Sequence, residues 1–320
     1  MKNKVVKGLA KGLMIFGAAL VLTYLVLGWV VRPVIYREFY NLSENVCTNP
    51  GLNDGFVPQG IAVDEYKGEM VVITSGYMDD KSPSRIYITN EDNESRYVEV
   101  HVGDGPSTAH LGGIAISNGV VYICRGSKIS VVSLEELMNA EDKIVIKENH
   151  QMINTASCCF ADDKYLYVSE FASSGSYEKD NYVETNDGIY SGICSVYSLD
   201  DLDTPLWVYS IRNKVQGLCV TDNGTIVLST SQSFYSSEYY VYNKENIRKS
   251  DVDFIYDKEN NKSLPLYILD NPSKVITGPC MSEDLSVYNG KVYCLTESAC
   301  NKYILGKLFF AYNIFALDIE

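Results

Sequence analysis

The amino-acid sequence predicts an all-β fold, a five-bladed β-propeller preceded by one transmembrane α-helix, with six blades as the alternative. Three observations lead there: one uninterrupted apolar run near the N-terminus, a composition suited to strands, and a unit of short strands that recurs along the rest of the chain. The 25 tyrosines, set among many valines, isoleucines and serines, favour pleated, half-buried surfaces over helix. A chain of 320 residues, 46% of them hydrophobic, is long enough to bury one large core.

The apolar run spans residues 12–31, GLMIFGAALVLTYLVLGWVV, with no charge among its twenty residues. At a helical rise of about 1.5 Å per residue it covers a hydrocarbon core of about 30 Å. Lys2, Lys4, Lys7 and Lys11 precede it, so the positive-inside bias puts the basic segment 1–11 in the cytoplasm and the rest of the chain outside. The expected location is the cell membrane, single-pass, with an extracytoplasmic propeller. Tyr24 and Trp29 fit an aromatic belt at the outer end. A cleaved signal peptide is the competing reading, but its apolar region is normally about 7 to 15 residues and ends at a small-residue site. Here Gly17-Ala18-Ala19 lies mid-run, which favours a retained signal anchor. Residues 32–53 read as a stalk, with 41–47 expected to supply a strand that closes the ring.

Residues 54–320 divide into five units. The first holds apolar runs at 56–63, 70–77, 85–89 and 97–102, and the second at 111–116, 120–126, 129–134 and 143–147. The third has 156–160, 165–171, 193–199 and 205–210, and the fourth has 215–220, 225–231, 239–243 and 265–269. The fifth has 284–288, 291–298 and 313–319. Asp162-Asp163, Asn223-Gly224 and Asn289-Gly290 fall between first and second strands, where tight hairpins need positive φ. Short strands in repeats of roughly 45 to 65 residues are the pattern of propeller blades. A sixth blade would have to hide in 32–53 or 244–262.

Pro58-Gln59-Gly60-Ile61, Gly112-Gly113-Ile114 and Gln216-Gly217-Leu218 open three of the units. In these steps the chain resembles extracytoplasmic β-propellers of the broad NHL, strictosidine-synthase and SMP-30 type, and is most similar to membrane-anchored bacterial propellers of that kind. The resemblance covers residues 55–320 and implies the fold. Those enzymes hold a central metal with Glu, Asp and Asn side chains. The matching strand starts here carry Gln59, His110, Gln216 and Glu283, a different set.

In such a propeller the loop before each first strand and the loop after each second strand open on one face around the axis. The first kind offers Gln59, His110, Asn154, Gln216, Glu283 and Asp284, and the second offers Tyr77, Arg125, Glu170, Gln232 and Glu297. The candidate ligand site is therefore Gln59, Tyr77, His110, Arg125, Glu170, Gln216, Gln232, Glu283 and Glu297. Glu170, Glu283 and Glu297 would bring three carboxylates to one mouth. They could hold a metal ion, Ca²⁺ by its preference for oxygen ligands, or act as an acid and base pair. Alternatively each pairs with Arg125 or a lysine, or faces water. The glycines at 60, 112, 113 and 217 are expected to leave room for a ligand there. Residues 171–192 form a long polar loop that would overhang the mouth.

Residues 1–37 hold six basic side chains and no acid, leaving 21 basic against 41 acidic in the remainder. A domain with a net charge of about −20 repels nucleic acid. The partners expected are the membrane, through the helix, and a glycan, small molecule or protein on the outer side. Of the nine cysteines, Cys280 and Cys300 flank loops that meet on the open face, which makes them the disulfide candidate. No Walker A loop, GxSxG elbow or Rossmann fingerprint is present. The function indicated is a ligand-binding or interaction module rather than an enzyme, with a hydrolase or lyase as the alternative.

Overall fold

Five sheets arranged around one axis, each built on four antiparallel strands and two of them extended to six strands, form the body of a computed structural model that describes residues 2–309 and 311–319. Met1, the start of the basic segment, and Glu320, the end of the propeller range, lie outside the described residues. The inner strands are Phe56–Tyr66, Leu111–Ser117, Cys158–Ala161, Val215–Val220 and Ser282–Tyr288. Each packs against the next, and the fifth packs against the first, so the ring is closed with five blades. Side chains between neighbouring sheets make the core. Examples are Tyr197, Tyr239, Tyr242 and Phe315, all essentially without solvent contact.

The hairpin turns follow local chemistry. Asn289 and Gly290 both adopt positive φ (49° and 74°), which a two-residue turn of the primed type requires. Asp162-Asp163 does not use positive φ. There the Asp162 carboxylate accepts from the amides of Lys164 (2.8 Å) and Tyr165 (2.7 Å), and this side-chain bridge makes the turn.

Two strands belong to other blades than the sequence order suggests. Lys143–Ile146 lies parallel to Ser95–Val102 and extends blade 1, and blade 2 takes Glu148–Gln151 as its outer strand. Likewise Leu266–Leu269 lies parallel to Asp201–Ile211 of blade 3, and blade 4 ends on Lys274–Gly278. A short apolar run carries no mark of which edge it will pair with. In both cases it covers the exposed outer edge of the preceding blade.

The last blade is assembled from both ends of the chain. Ser43–Thr48 pairs antiparallel with Asn313–Leu317, which pairs in turn with Lys291–Thr296. The helix Lys2–Val26 continues through a short π-helical stretch, Leu27–Val31, and Arg32–Ile35. From Lys7 to Ile35 it is long and apolar enough to cross a membrane and is nearly all exposed. Residues 32–42 are not a free stalk. They form helical turns that press Phe39 between Tyr239 and Phe315, at ring-centroid distances of 5.6 and 5.3 Å. The Tyr36 hydroxyl reaches the Ser236 Oγ at 3.2 Å.

Candidate functional site

Four of the five inner strands slip register by a bulge near their start, between Pro58 and Gly60, Leu111 and Ile114, Val215 and Gly217, and Ser282 and Leu285. A bulged residue leaves the ladder and its side chain is re-aimed. The residues at these bulges include Gln59, Gln216 and Glu283, and all three face a cavity of about 1020 Å³ at one end of the axis. Tyr77, His110, Gln232 and Glu297 face it too. Seven of the nine candidate residues thus share one cavity.

Its floor is a carboxyl pair. Gln59 Nε2 donates to Glu297 Oε2 at 2.8 Å, and Gln216 Nε2 donates to Glu283 Oε1 at 3.3 Å. Both carboxyls are buried, Glu283 at 3% exposure and Glu297 at 8%. Burial, with the neighbouring Glu297 and Asp284 carboxylates, pushes Glu283 well above the usual carboxylate range. Burial also raises Glu297 to about 7, against the Lys302 ammonium and the hydrogen bond from Gln59, which favour its charge. Near neutral pH the pair therefore retains at least one proton, since two adjacent buried carboxylates repel.

One wall is aromatic. The Tyr77 and His110 rings lie 4.7 Å apart, and Lys302 Nζ donates to the Tyr77 hydroxyl at 2.5 Å. The same ammonium stands 4.7 Å from the Tyr77 ring centroid and 5.3 Å from that of Tyr303. His110 stays exposed at the cavity, and the protein crowded around its ring together with the Lys302 charge lowers it to about 4, which makes it a neutral hydrogen-bonding group. Lys302 and Tyr303 come from the 3₁₀ segment Asn301–Phe309, which has no strand pattern and was not among the candidates. The available signal was its position: it follows directly from Glu297 at the end of a second strand. Ser173–Tyr177 of the long loop close another side, with Tyr177 edge-on to Phe171 at 5.2 Å.

Several sequence expectations are corrected. Glu170 does not join the other two glutamates. Its Oε2 pairs with Lys179 at 3.1 Å and its Oε1 accepts from the Ile193 amide at 3.2 Å. Among the described residues no three His, Cys, Asp or Glu side chains stand where they could hold a metal ion, so Glu170, Glu283 and Glu297 do not form the expected three-carboxylate Ca²⁺ site. Arg125 turns away from the cavity to Asn149 Oδ1 (2.7 Å) and Ser130 Oγ (3.2 Å). Cys280 and Cys300 are free, buried thiols and not a disulfide, Cys300 packing with Leu52, Val57 and Ala299. Asn154 is structural, bonding the Val168 carbonyl at 3.1 Å and accepting from Ser195 Oγ.

The glycines do not leave space for a ligand. A Cβ on Gly112 would sit 2.1 Å from the Ser157 carbonyl oxygen, and one on Gly217 would sit 2.6 Å from that of Glu283. They let the inner strands approach backbone to backbone and seal the axis beneath the cavity. Asp284 reinforces the seal: its Oδ2 accepts from the Ile114 amide at 3.0 Å and the Ile61 amide at 3.4 Å, tying blade 5 to blades 1 and 2.

No protein-family model and no curated protein matches the chain. Solved structures match it only distantly. The PQQ-bound aldose sugar dehydrogenase of Streptomyces coelicolor shares 15% identity over 79% of this chain and 76% of its own, with a TM-score of 0.41. The GH43_1 enzyme of Xanthomonas citri complexed with xylose shares 12% over 79% and 83%, with a TM-score of 0.42. BamB of Moraxella catarrhalis shares 10% over 81% and 84%, with a TM-score of 0.32. Similarity this distant says nothing of ligand or reaction. The chemistry rests on the cavity alone.

Proposed function

We propose that the protein is a membrane-anchored binding propeller, and that its axial cavity takes a small ligand with a neutral, polyhydroxylated group such as a glycan. The observation that carries this is the floor of the cavity, where each of two buried carboxyls is hydrogen-bonded by a glutamine. A protonated carboxyl donates and accepts at once, as do glutamine and neutral His110, and such mixed groups suit hydroxyls better than a fixed charge does. The Tyr77, Tyr303 and Phe171 rings supply flat apolar surface for the ligand's carbon face. The N-terminus is cytoplasmic and the propeller extracytoplasmic in this reading, on the strength of the four leading lysines. Kinship with NHL, strictosidine-synthase and SMP-30 propellers belongs to the same proposal and rests on the glycine steps at the inner strands.

The test is calorimetric titration of the full chain in lipid nanodiscs with a panel of neutral oligosaccharides. Binding by a member of the panel that E297Q and Q59A each weaken severalfold is expected. Binding unchanged in both variants, or none across the panel, would overturn the reading. A hydrolytic role is the second reading, favoured by one observation: a carboxyl held near 7 is protonated often enough to act as a general acid. Turnover of a bound oligosaccharide that disappears in E297Q while binding persists would establish it.

A further inference from the structure

The cavity mouth adjoins the membrane helix, and that juxtaposition says where the ligand comes from. Segment Asn301–Phe309 touches the helix at Leu27–Val31, and the Tyr312 hydroxyl lies 3.4 Å from that of Tyr24. Arg32 is the first charge after the apolar run, and Tyr24 sits eight residues before it, about 12 Å further along the helix. A propeller residue that reaches Tyr24 therefore lies at or below the level of the lipid headgroups. Around this contact the surface is apolar. Ile304 is 74% exposed, Leu305 64% and Tyr235 78%, and Phe234 stacks on Phe309 with ring centroids 6.4 Å apart, joining the two segments. These residues rim the cavity, because their chain neighbours Gln232, Ser233, Lys302 and Tyr303 line it.

Charge agrees with apolarity. In a domain with an acidic excess, residues 298–317 contain Lys302 and Lys307 and no acid, and residues 229–237 contain no charge at all. This part of the rim would not be repelled by an anionic headgroup layer, whereas the rest of the domain would be.

We propose that this rim is seated in the headgroup layer of the adjoining leaflet, so that the cavity opens onto the membrane and takes its ligand from it: the polar head of a membrane-borne amphiphile. The ligand class rests on the binding role proposed above, but the seating does not. A second copy of the chain is the other surface that could cover such a patch. Continuity with a helix that is itself apolar enough for the bilayer favours lipid.

Spin labels read this directly. The nine native cysteines are all buried, so a label goes to an introduced one. L305C places it on the rim, and D163C places it on the exposed turn at the opposite end of blade 3. The full chain is reconstituted in vesicles of phosphatidylcholine and phosphatidylglycerol. The label at 305 should collide readily with oxygen dissolved in lipid and severalfold less than the label at 163 with a water-soluble nickel chelate. Equal nickel collision at both positions would overturn the seating. Protection of 305 from both reagents would also overturn it, in favour of a protein partner. The depth of the label does not depend on ligand, so E297Q should leave it unchanged even where E297Q abolishes oligosaccharide binding.

Discussion

Replacing Glu297 by Gln tests the carboxyl floor through stability alone, without knowledge of the ligand. The native carboxyl is held at about 7 against an ordinary 4.5. A carboxyl raised on folding contributes its full share of stability below the ordinary value, and that share is lost as pH rises through the folded value. At about 1.4 kcal/mol per pH unit, the loss between pH 4.5 and 7 is on the order of 3 kcal/mol. Glutamine has the same shape, accepts the Gln59 hydrogen bond and never ionises. The stability difference between E297Q and the wild type should therefore move in favour of the variant as pH rises from about 5 to 8, by on the order of 3 kcal/mol. Urea unfolding followed by tyrosine fluorescence at several pH values measures it. The comparison cancels His110, which works in the opposite sense: held near 4 and neutral in the fold, it costs stability as pH falls below about 6.5. A difference that stays flat from pH 5 to 8, or moves the other way, would show that Glu297 is not the buried proton-holding group described.

Other outcomes follow from the same geometry. D284A should cost on the order of 2 to 5 kcal/mol, because the Ile61 and Ile114 amides lose their buried acceptor, and D284N should cost less. G112A should prevent the ring from closing, since its methyl would meet the Ser157 carbonyl, and circular dichroism of the purified chain would show lost cooperativity. F39A should lower stability by about 3 to 5 kcal/mol, as for other buried phenylalanines, although this residue lies outside the repeats. K302M should raise the His110 pKa above about 4, read by NMR titration of the imidazole, because the ammonium helps to hold it down. All nine cysteines should react with an alkylating reagent in denaturant without prior reduction.

The inner and second strands of every blade were legible because each carries its own signal, an apolar run led by small residues and ended by a turn. Outer strands were not, because pairing partners are a property of the ring: 143–146 and 266–269 look like the last strand of the unit they follow and pair with the previous one. Cavity residues at bulges could be inferred from their place at strand starts. Arg125 and Glu170 show the limit of that rule. They sit at or just beyond the ends of second strands, yet Asn149 and Lys179, brought there by an outer strand and a loop, draw them away. The three-carboxylate arrangement failed for this reason, since spacing across a ring is set by partners that the linear order does not show. Lys302 and Tyr303 were missed because a 3₁₀ segment has no periodicity to read.

The blade shared by the two ends of the chain bears on how the protein comes to exist. Ser43–Thr48 leaves the ribosome just behind the apolar helix, whereas its partner Asn313–Leu317 is made only after every other strand of the ring. While the blades accumulate the growing domain therefore carries an unpaired strand edge, held close to the apolar helix that precedes it. A nascent chain that stalls before residue 313 would leave that edge open to a neighbour, and a force pulling on the apolar helix would be delivered first to the Phe39 turns and then to the strand that closes the ring.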